Sequence, residues 1–353
     1  MKTFMDIHDY AEQERLSLKQ IMDFTSSVNP LGPSSKAKHL LRKNINNIDF
    51  PPDNKLRYLT RLIEKREGVR ADNILFTQSS RQLLHTIFQT AQTRTVLIPS
   101  PVSRTYEEVI SLNKVILKRL PLDKTDHFSL DLETICKAMK EVDTILMPYP
   151  HDMVGSALMM DDLLTLISET DRLGKTLILD ESYRDFTAMA SPVQEVINSK
   201  KSIIVRTFSL FYAMAGLPVA YSIGPTDMIQ KMRQYIFSEE INILAVNCAI
   251  ASMKDVSYKT RTTEFINTEK GYLLKAFTAI DGLACFDTPC PFIVLAFEKK
   301  QDTLKAFFSG YRILIDEFFD EQGGYCLKVP VKEHKCNARF ARTLRNAMGI
   351  NKQ

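Results

Sequence analysis

Short β-rich apolar runs recur through the first part of this chain, and helical patterns separate most of them. The runs cover residues 73–77, 95–99, 144–148, 176–180, 202–207 and 219–223, with helical patterns over 80–90, 161–172 and 227–237. Near-continuous apolar runs mark strands that are covered on both faces. Strands alternating with helices therefore predict an α/β fold, with a mostly parallel sheet in a three-layer large domain. From about residue 260 the rhythm changes. A helix over 264–280 is followed by a strand over 291–297, a helix near 303–309, a strand over 325–331 and a last helix over 337–348. That pattern predicts a smaller α+β unit. The expected division is an N-terminal segment, 1–45, joining the small domain, a large domain over 46–258, and a small C-terminal domain over 259–353.

In open parallel sheets, ligands bind at the carboxyl ends of the strands. The unusual residues cluster just past those ends, at Ser79-Ser80, 99–103, 149–155, 180–183 and 207–210. One binding crevice along one sheet edge is the expected consequence. The net charge of +4 is small for 353 residues; it fits an anionic small molecule without demanding one. No dense basic block points to nucleic acid. Of the six cysteines only Cys285 and Cys290 are close, and no CxxC or Cys/His spacing occurs. Reduced thiols are expected, with no disulfide framework and no metal site. His85, His127, His151 and His334 form no triad with a serine elbow. Residues 1–16 carry alternating charges and no apolar core, so no secretory signal is expected. No apolar run reaches membrane-spanning length, and the expected address is the cytoplasm.

Three segments carry a more specific signal. Ser202-Ile203-Ile204-Val205 runs into Arg206-Thr207-Phe208-Ser209-Leu210-Phe211-Tyr212-Ala213-Met214-Ala215-Gly216-Leu217. Ile178-Leu179-Asp180-Glu181-Ser182-Tyr183 ends a buried run with an acid, which is costly unless paired. Asp23-Phe24-Thr25-Ser26-Ser27-Val28-Asn29-Pro30-Leu31-Gly32 lies near the amino terminus. Taken in their order along the chain, they resemble the fold-type I pyridoxal-phosphate (PLP) enzymes of the aminotransferase superfamily, closest to threonine-phosphate decarboxylases and histidinol-phosphate aminotransferases. The form of the Asn-Pro-Leu-Gly segment, with Phe211-Tyr212-Ala213, tilts the resemblance toward the decarboxylases. It extends from about Asp23 to Met348.

The resemblance implies roles for individual residues. Asp180 would pair with the pyridine nitrogen and Tyr183 would hydrogen-bond the ring oxygen. Ser79 and Ser80, with Thr207 and Ser209, would hold the phosphate. Asn29, Lys328 and, by a weak match, His8 would face the substrate. A homodimer with sites at its interface is the implied assembly. The same residues have plainer uses. Asp180 could cap the following helix while Tyr183 packs. Asn-Pro-Leu-Gly could be a turn, His8 a surface residue and Lys328 a solvated strand residue.

The departures from the family pattern carry as much weight. Leu210 stands where the resemblance calls for the lysine that bonds the cofactor aldehyde, and leucine has no nucleophile. Pro218 replaces a phosphate-gripping arginine and lacks even a backbone donor. In Phe50-Pro51-Pro52-Asp53, Phe50 replaces a tyrosine whose hydroxyl reaches a phosphate across the dimer. Ser103 replaces the ring that stacks on the pyridine, and Asp152 replaces an asparagine that donates to the ring oxygen. An ionised Asp152 only accepts. Lys328 replaces an arginine, keeping the charge but losing the planar fork. Expected, therefore, is an aminotransferase-like protein without conventional Schiff-base catalysis, binding PLP or a phosphorylated amino acid noncovalently. Two alternatives stand beside it. One is an active PLP-dependent decarboxylase or aminotransferase on a phosphorylated amino acid or amine. The other is a non-catalytic subunit of a lysine-bearing homologue. His151 and Asp152 are the remaining acid–base candidates in the crevice.

Overall fold

The computed structural model describes residues 6–51, 53, 55–236, 241–299, 301, 303–320 and 322–349. Pro52 and Phe237, which belong to a motif and a helix expected above, lie outside the described residues. The strands in chain order are β1 (Met22–Phe24), β2 (Ile74–Thr77), β3 (Thr95–Ser100), β4 (Ile116–Pro121), β5 (Thr144–Pro148), β6 (Thr176–Asp180), β7 (Ser202–Thr207), β8 (Ala220–Ile223), β9 (Leu283–Phe286), β10 (Phe292–Phe297), β11 (Ile313–Phe319) and β12 (Tyr325–Pro330).

Seven of them form one sheet in the order β2-β8-β7-β6-β5-β3-β4. Its neighbours from β7 to β4 are parallel, whereas β8 runs antiparallel to both β2 and β7. The apolar runs of β5, β6 and β7 alternate between two cores. Leu146, Ile178, Ile203 and Val205 pack with Leu83, Leu84 and Ile87 of the helix Ser80–Ala91 on one face. Ile145, Met147, Leu177, Leu179 and Ile204 share the other core with Leu163 and Leu166 of the helix Met160–Arg172. Both faces are thus covered, which is why these strands carry no polar alternation. Each such aliphatic side chain contributes roughly 1.5–3 kcal/mol on burial. The result is the expected three-layer arrangement.

The smaller sheet has the order β1-β11-β12-β10-β9. β1, from near the amino terminus, pairs in parallel with β11, and the remaining pairs are antiparallel. The helix expected over 264–280 spans Val256–Phe277. Its first two turns are rich in β-branched residues with poor helix propensity. Tertiary burial of Tyr258, Thr262, Ile266 and Leu273 along one stripe overrides that preference. β4 and β11 were not expected as strands. β4 is an edge strand whose Lys118 and Arg119 pair with Glu141 and Glu107, and β11 carries Asp316-Glu317 at its centre, so neither presents a plain apolar run. All six cysteines are free. Among the described residues no helix is long and apolar enough to cross a membrane, and no cluster of His, Cys, Asp or Glu is placed to hold a metal ion.

Candidate functional site

The register of the large sheet brings the expected residues to one edge. Thr77 lies opposite Ala220, Ala220 opposite Thr207, and Asp180 between Pro148 and Val205. The loops after β2, β3, β5, β6 and β7 therefore open on the same crevice.

Asp180 ends β6 and is buried. One carboxylate oxygen accepts from the Ser182 amide at 2.9 Å and the Ser182 hydroxyl at 2.5 Å. The other accepts from the Tyr106 hydroxyl at 3.0 Å. Burial pushes the Asp180 pKa up to about 6; the Ser182 and Tyr106 bonds oppose that rise and the nearby Asp152 carboxylate adds to it. Asp180 does not act as a plain cap of an α-helix, because a turn and the short 3-10 helix Arg184–Phe186 follow it. Tyr106 was not among the expected site residues. Its signal lay in its spacing from Ser103, which opens the helix Arg104–Asn113 and leaves Tyr106 on the inner face.

Tyr183 and Lys328 meet across the crevice. The Lys328 ammonium donates to the Tyr183 hydroxyl at 3.2 Å and lies 4.7 Å from the centre of the Phe292 ring. Lys328 is 5% exposed, so it is no solvated strand residue. Its strand neighbour across β11 is Asp316. Burial works against the ammonium, but Tyr183, Asp316 and Asp152 outweigh it and hold the Lys328 pKa above the ordinary lysine range. Burial likewise raises the Asp316 pKa to about 6 against the pull of Lys328.

Asp152 has a buried carboxylate oxygen with no hydrogen-bond partner, and the Ser103 hydroxyl is buried and unpartnered as well. The Asp152 charge is felt by Tyr106, Asp180, Tyr183, Lys328 and Asp316 alike, which places it among them. Its neighbour His151 is fully buried, with Nδ1 accepting from the amides of Met153 at 3.1 Å and Val154 at 3.4 Å. That fixes the proton on Nε2, which donates to the Pro99 carbonyl at 3.2 Å. Burial depresses the His151 pKa. A neutral imidazole spent on three backbone groups organises the loop and offers no acid–base chemistry.

The phosphate-cradle residues also turn toward their own backbone. Ser79 caps the helix Ser80–Ala91, its hydroxyl accepting from the Gln82 amide at 3.2 Å. The Thr207 hydroxyl accepts from the Ser209 amide at 3.1 Å and donates to the Val219 carbonyl at 3.4 Å. Ser80 and Ser209 are half-buried beside them. Asn29 is buried and spends both amide protons, on the Phe211 carbonyl and the Thr262 hydroxyl, each at 2.9 Å. His8 is exposed on the helix Ile7–Gln13.

Leu210 is half-buried and packed against the main core. Its carbonyl accepts from the Asn29 amide at 3.0 Å and the Ala213 amide at 3.2 Å. Lys200 and Lys201 precede β7 and lie at its far end, where the Lys201 ammonium donates to the Gly174 carbonyl at 3.1 Å. A six-residue strand separates them from the crevice edge, on the order of 20 Å at the usual rise.

Comparison with known proteins agrees with this architecture. The chain is 26% identical over 336 residues to a candidate threonine-phosphate decarboxylase of Caldanaerobacter subterraneus subsp. tengcongensis, covering 91% of this chain and 88% of that one. It is 22% identical over 347 residues to the threonine-phosphate decarboxylase of Salmonella typhimurium, covering 97% and 95%. The crystal structure of histidinol-phosphate aminotransferase from Sinorhizobium meliloti, solved with pyridoxal-5'-phosphate, superposes with a TM-score of 0.90 at 18% identity, covering 99% of this chain and 96% of that one. The family model for aminotransferase class I and II, a PLP-dependent family, matches residues 19–326, and this chain belongs to that family.

Proposed function

We propose that this protein keeps the crevice of its family but not covalent cofactor chemistry, and that it holds a phosphorylated amino acid, or PLP itself, noncovalently. The observation that carries the reading is Leu210, which presents a hydrocarbon on the segment where the family resemblance calls for a lysine. Covalent anchorage of PLP does not fit the residues present. Lys200 and Lys201 are a strand length away. Lys328 is in the crevice, but its ammonium is stabilised by Tyr183, Asp316 and Asp152, and only a deprotonated amine attacks an aldehyde. Pro218 and the exposed Phe50 supply no phosphate donor.

The remaining groups support anion binding. Lys328 offers a buried, fixed positive charge against which a carboxylate or phosphate can seat. The unpartnered Asp152 oxygen and Ser103 hydroxyl call for donors from a ligand, such as an ammonium group, because buried polar atoms without partners are costly. Tyr106 holds the Asp180 carboxylate, and the Tyr183 hydroxyl holds the Lys328 ammonium. We also infer a homodimer, supported by the exposed apolar side chains of Ile45, Ile48, Phe50 and Tyr58.

The test is a titration of purified protein with PLP and, separately, with O-phospho-L-threonine. Saturable, fully dialysable binding is expected, with no lysine-linked pyridoxyl adduct by mass spectrometry after borohydride. Lys328→Met should weaken phosphothreonine binding more than about tenfold. A stoichiometric adduct on any lysine of the untreated sequence would restore the working-enzyme reading. In Leu210→Lys an adduct should form only partially, since Ser103, Pro218 and Phe50 still leave the cofactor loosely held.

A further inference from the structure

A groove of about 570 Å³ lies outside the crevice, between the loop that begins at Leu31 and one face of the helix Val256–Phe277. Its volume falls within the usual range for small-molecule sites. Its apolar wall is Leu31, Pro33, Tyr258 and Phe265; its charged groups are Lys38, Arg261 and Glu264. Arg261 and Glu264 are three positions apart on one helix, so their side chains project side by side. Lys38 faces them from the opposite wall, with its ammonium reaching back toward Gly32. Arg261 pairs with Asp255 at 3.1 Å but is about half exposed, and this leaves part of its guanidinium to the groove.

Two cations, one carboxylate and an apolar wall match a zwitterion with an apolar body. We propose that this groove is a second ligand site, for a free α-amino acid with an apolar side chain. Its carboxylate lies between Lys38 and Arg261, its ammonium against Glu264, and its side chain against Phe265 and Leu31. The site is connected to the crevice. The Tyr258 hydroxyl donates to the Gly32 carbonyl at 2.7 Å and reaches the Phe211 carbonyl at 3.2 Å. Thr262, one turn on, takes a hydrogen bond from Asn29, whose own amide holds the Leu210 carbonyl. An occupant of the groove therefore bears on the same hydrogen-bonded cluster that fixes the backbone at Leu210.

Calorimetric titration with L-phenylalanine tests this on the full chain. Saturable binding is expected, weakened more than about tenfold by Lys38→Glu and by Glu264→Lys. Both residues are exposed on helices, so neither substitution threatens folding. Phenethylamine, without the carboxylate, and 3-phenylpropionate, without the ammonium, should each bind more than about tenfold more weakly than the amino acid. Lys328→Met should leave L-phenylalanine binding unchanged, which separates this site from the crevice and from the fate of the reading proposed there. Amide hydrogen exchange over residues 208–213 should slow when L-phenylalanine is bound. Absence of binding, binding indifferent to Lys38→Glu and Glu264→Lys, or binding abolished by Lys328→Met would each overturn the site. Unchanged exchange at 208–213 would overturn its connection to the crevice.

Discussion

At Asp180 one carboxylate accepts three hydrogen bonds and still titrates near 6, because burial outweighs them. A carboxyl with a folded pKa above its unfolded one binds its proton more tightly when folded. Its contribution to stability is present below the unfolded value near 3.8 and is lost as pH rises through about 6. The difference corresponds to roughly 3 kcal/mol. Asp180→Asn should recover much of this at neutral pH. The amide oxygen can keep the Ser182 bonds, and the amide nitrogen can donate to the Tyr106 hydroxyl, which rotates to accept. The expected outcome is a higher melting temperature at pH 7 to 8 and little change near pH 4. The pH dependence of stability should shrink without vanishing, since Asp316 also titrates near 6. Thermal melts of both proteins across this range check it; an equal shift at every pH would show that Asp180 folds ionised. Asp180 and Tyr183 were legible from a short motif at a strand end. Tyr106 carried only its spacing from Ser103 and Asp316 no signal at all, because their partnership with Asp180 and Lys328 depends on helix rotation and strand register.

The loops that build the crevice are locked to the smaller sheet by a contact at Gly155. Its φ is +78°, and a Cβ there would lie 2.4 Å from the Cβ of Thr288. Thr288 itself accepts from the Cys290 amide at 3.2 Å and donates to the Phe292 carbonyl at 2.5 Å, just ahead of β10. Gly155→Ala meets both a disfavoured backbone and a steric collision, and should cost about 2–4 kcal/mol. Urea unfolding measures the loss. Thr288→Gly in the same chain should return part of it, whereas Thr288→Ala keeps the colliding carbon and should return little. A Gly155→Ala, Thr288→Gly double variant no more stable than Gly155→Ala alone would mean that the backbone angle sets the cost. At this scale β5, β6 and β7 were readable within a residue because buried parallel strands need unbroken apolar runs. β4, β11 and the first two turns of the helix Val256–Phe277 were not, because paired charges or tertiary burial overrule their local composition.

Between residues 45 and 58 several large apolar side chains stay exposed among polar ones. Ile45, Ile48 and Phe50 are 51%, 67% and 62% exposed, and Tyr58 follows at 46%. Water would not favour four such residues in fourteen positions of a lone chain. Covering them with a second copy gives a two-fold interface in which the same stretch meets its counterpart or a neighbouring face. A stable interface of this kind buries on the order of 1,600 Å² in total, mostly through a few large apolar anchors. Ile48→Glu with Phe50→Glu would place four carboxylates per dimer where those anchors meet, while on the free chain both positions are open to solvent and should leave its melting behaviour intact. Sedimentation equilibrium should return about twice 40.4 kDa for the natural sequence and 40.4 kDa for the variant. The same result bears on the crevice. If phosphothreonine binding weakens along with dimerisation, the partner subunit completes the site, and if it is unchanged the crevice is complete within one chain. A natural sequence that sediments at 40.4 kDa at micromolar concentration would remove the dimer and leave the 45–58 stretch to another partner.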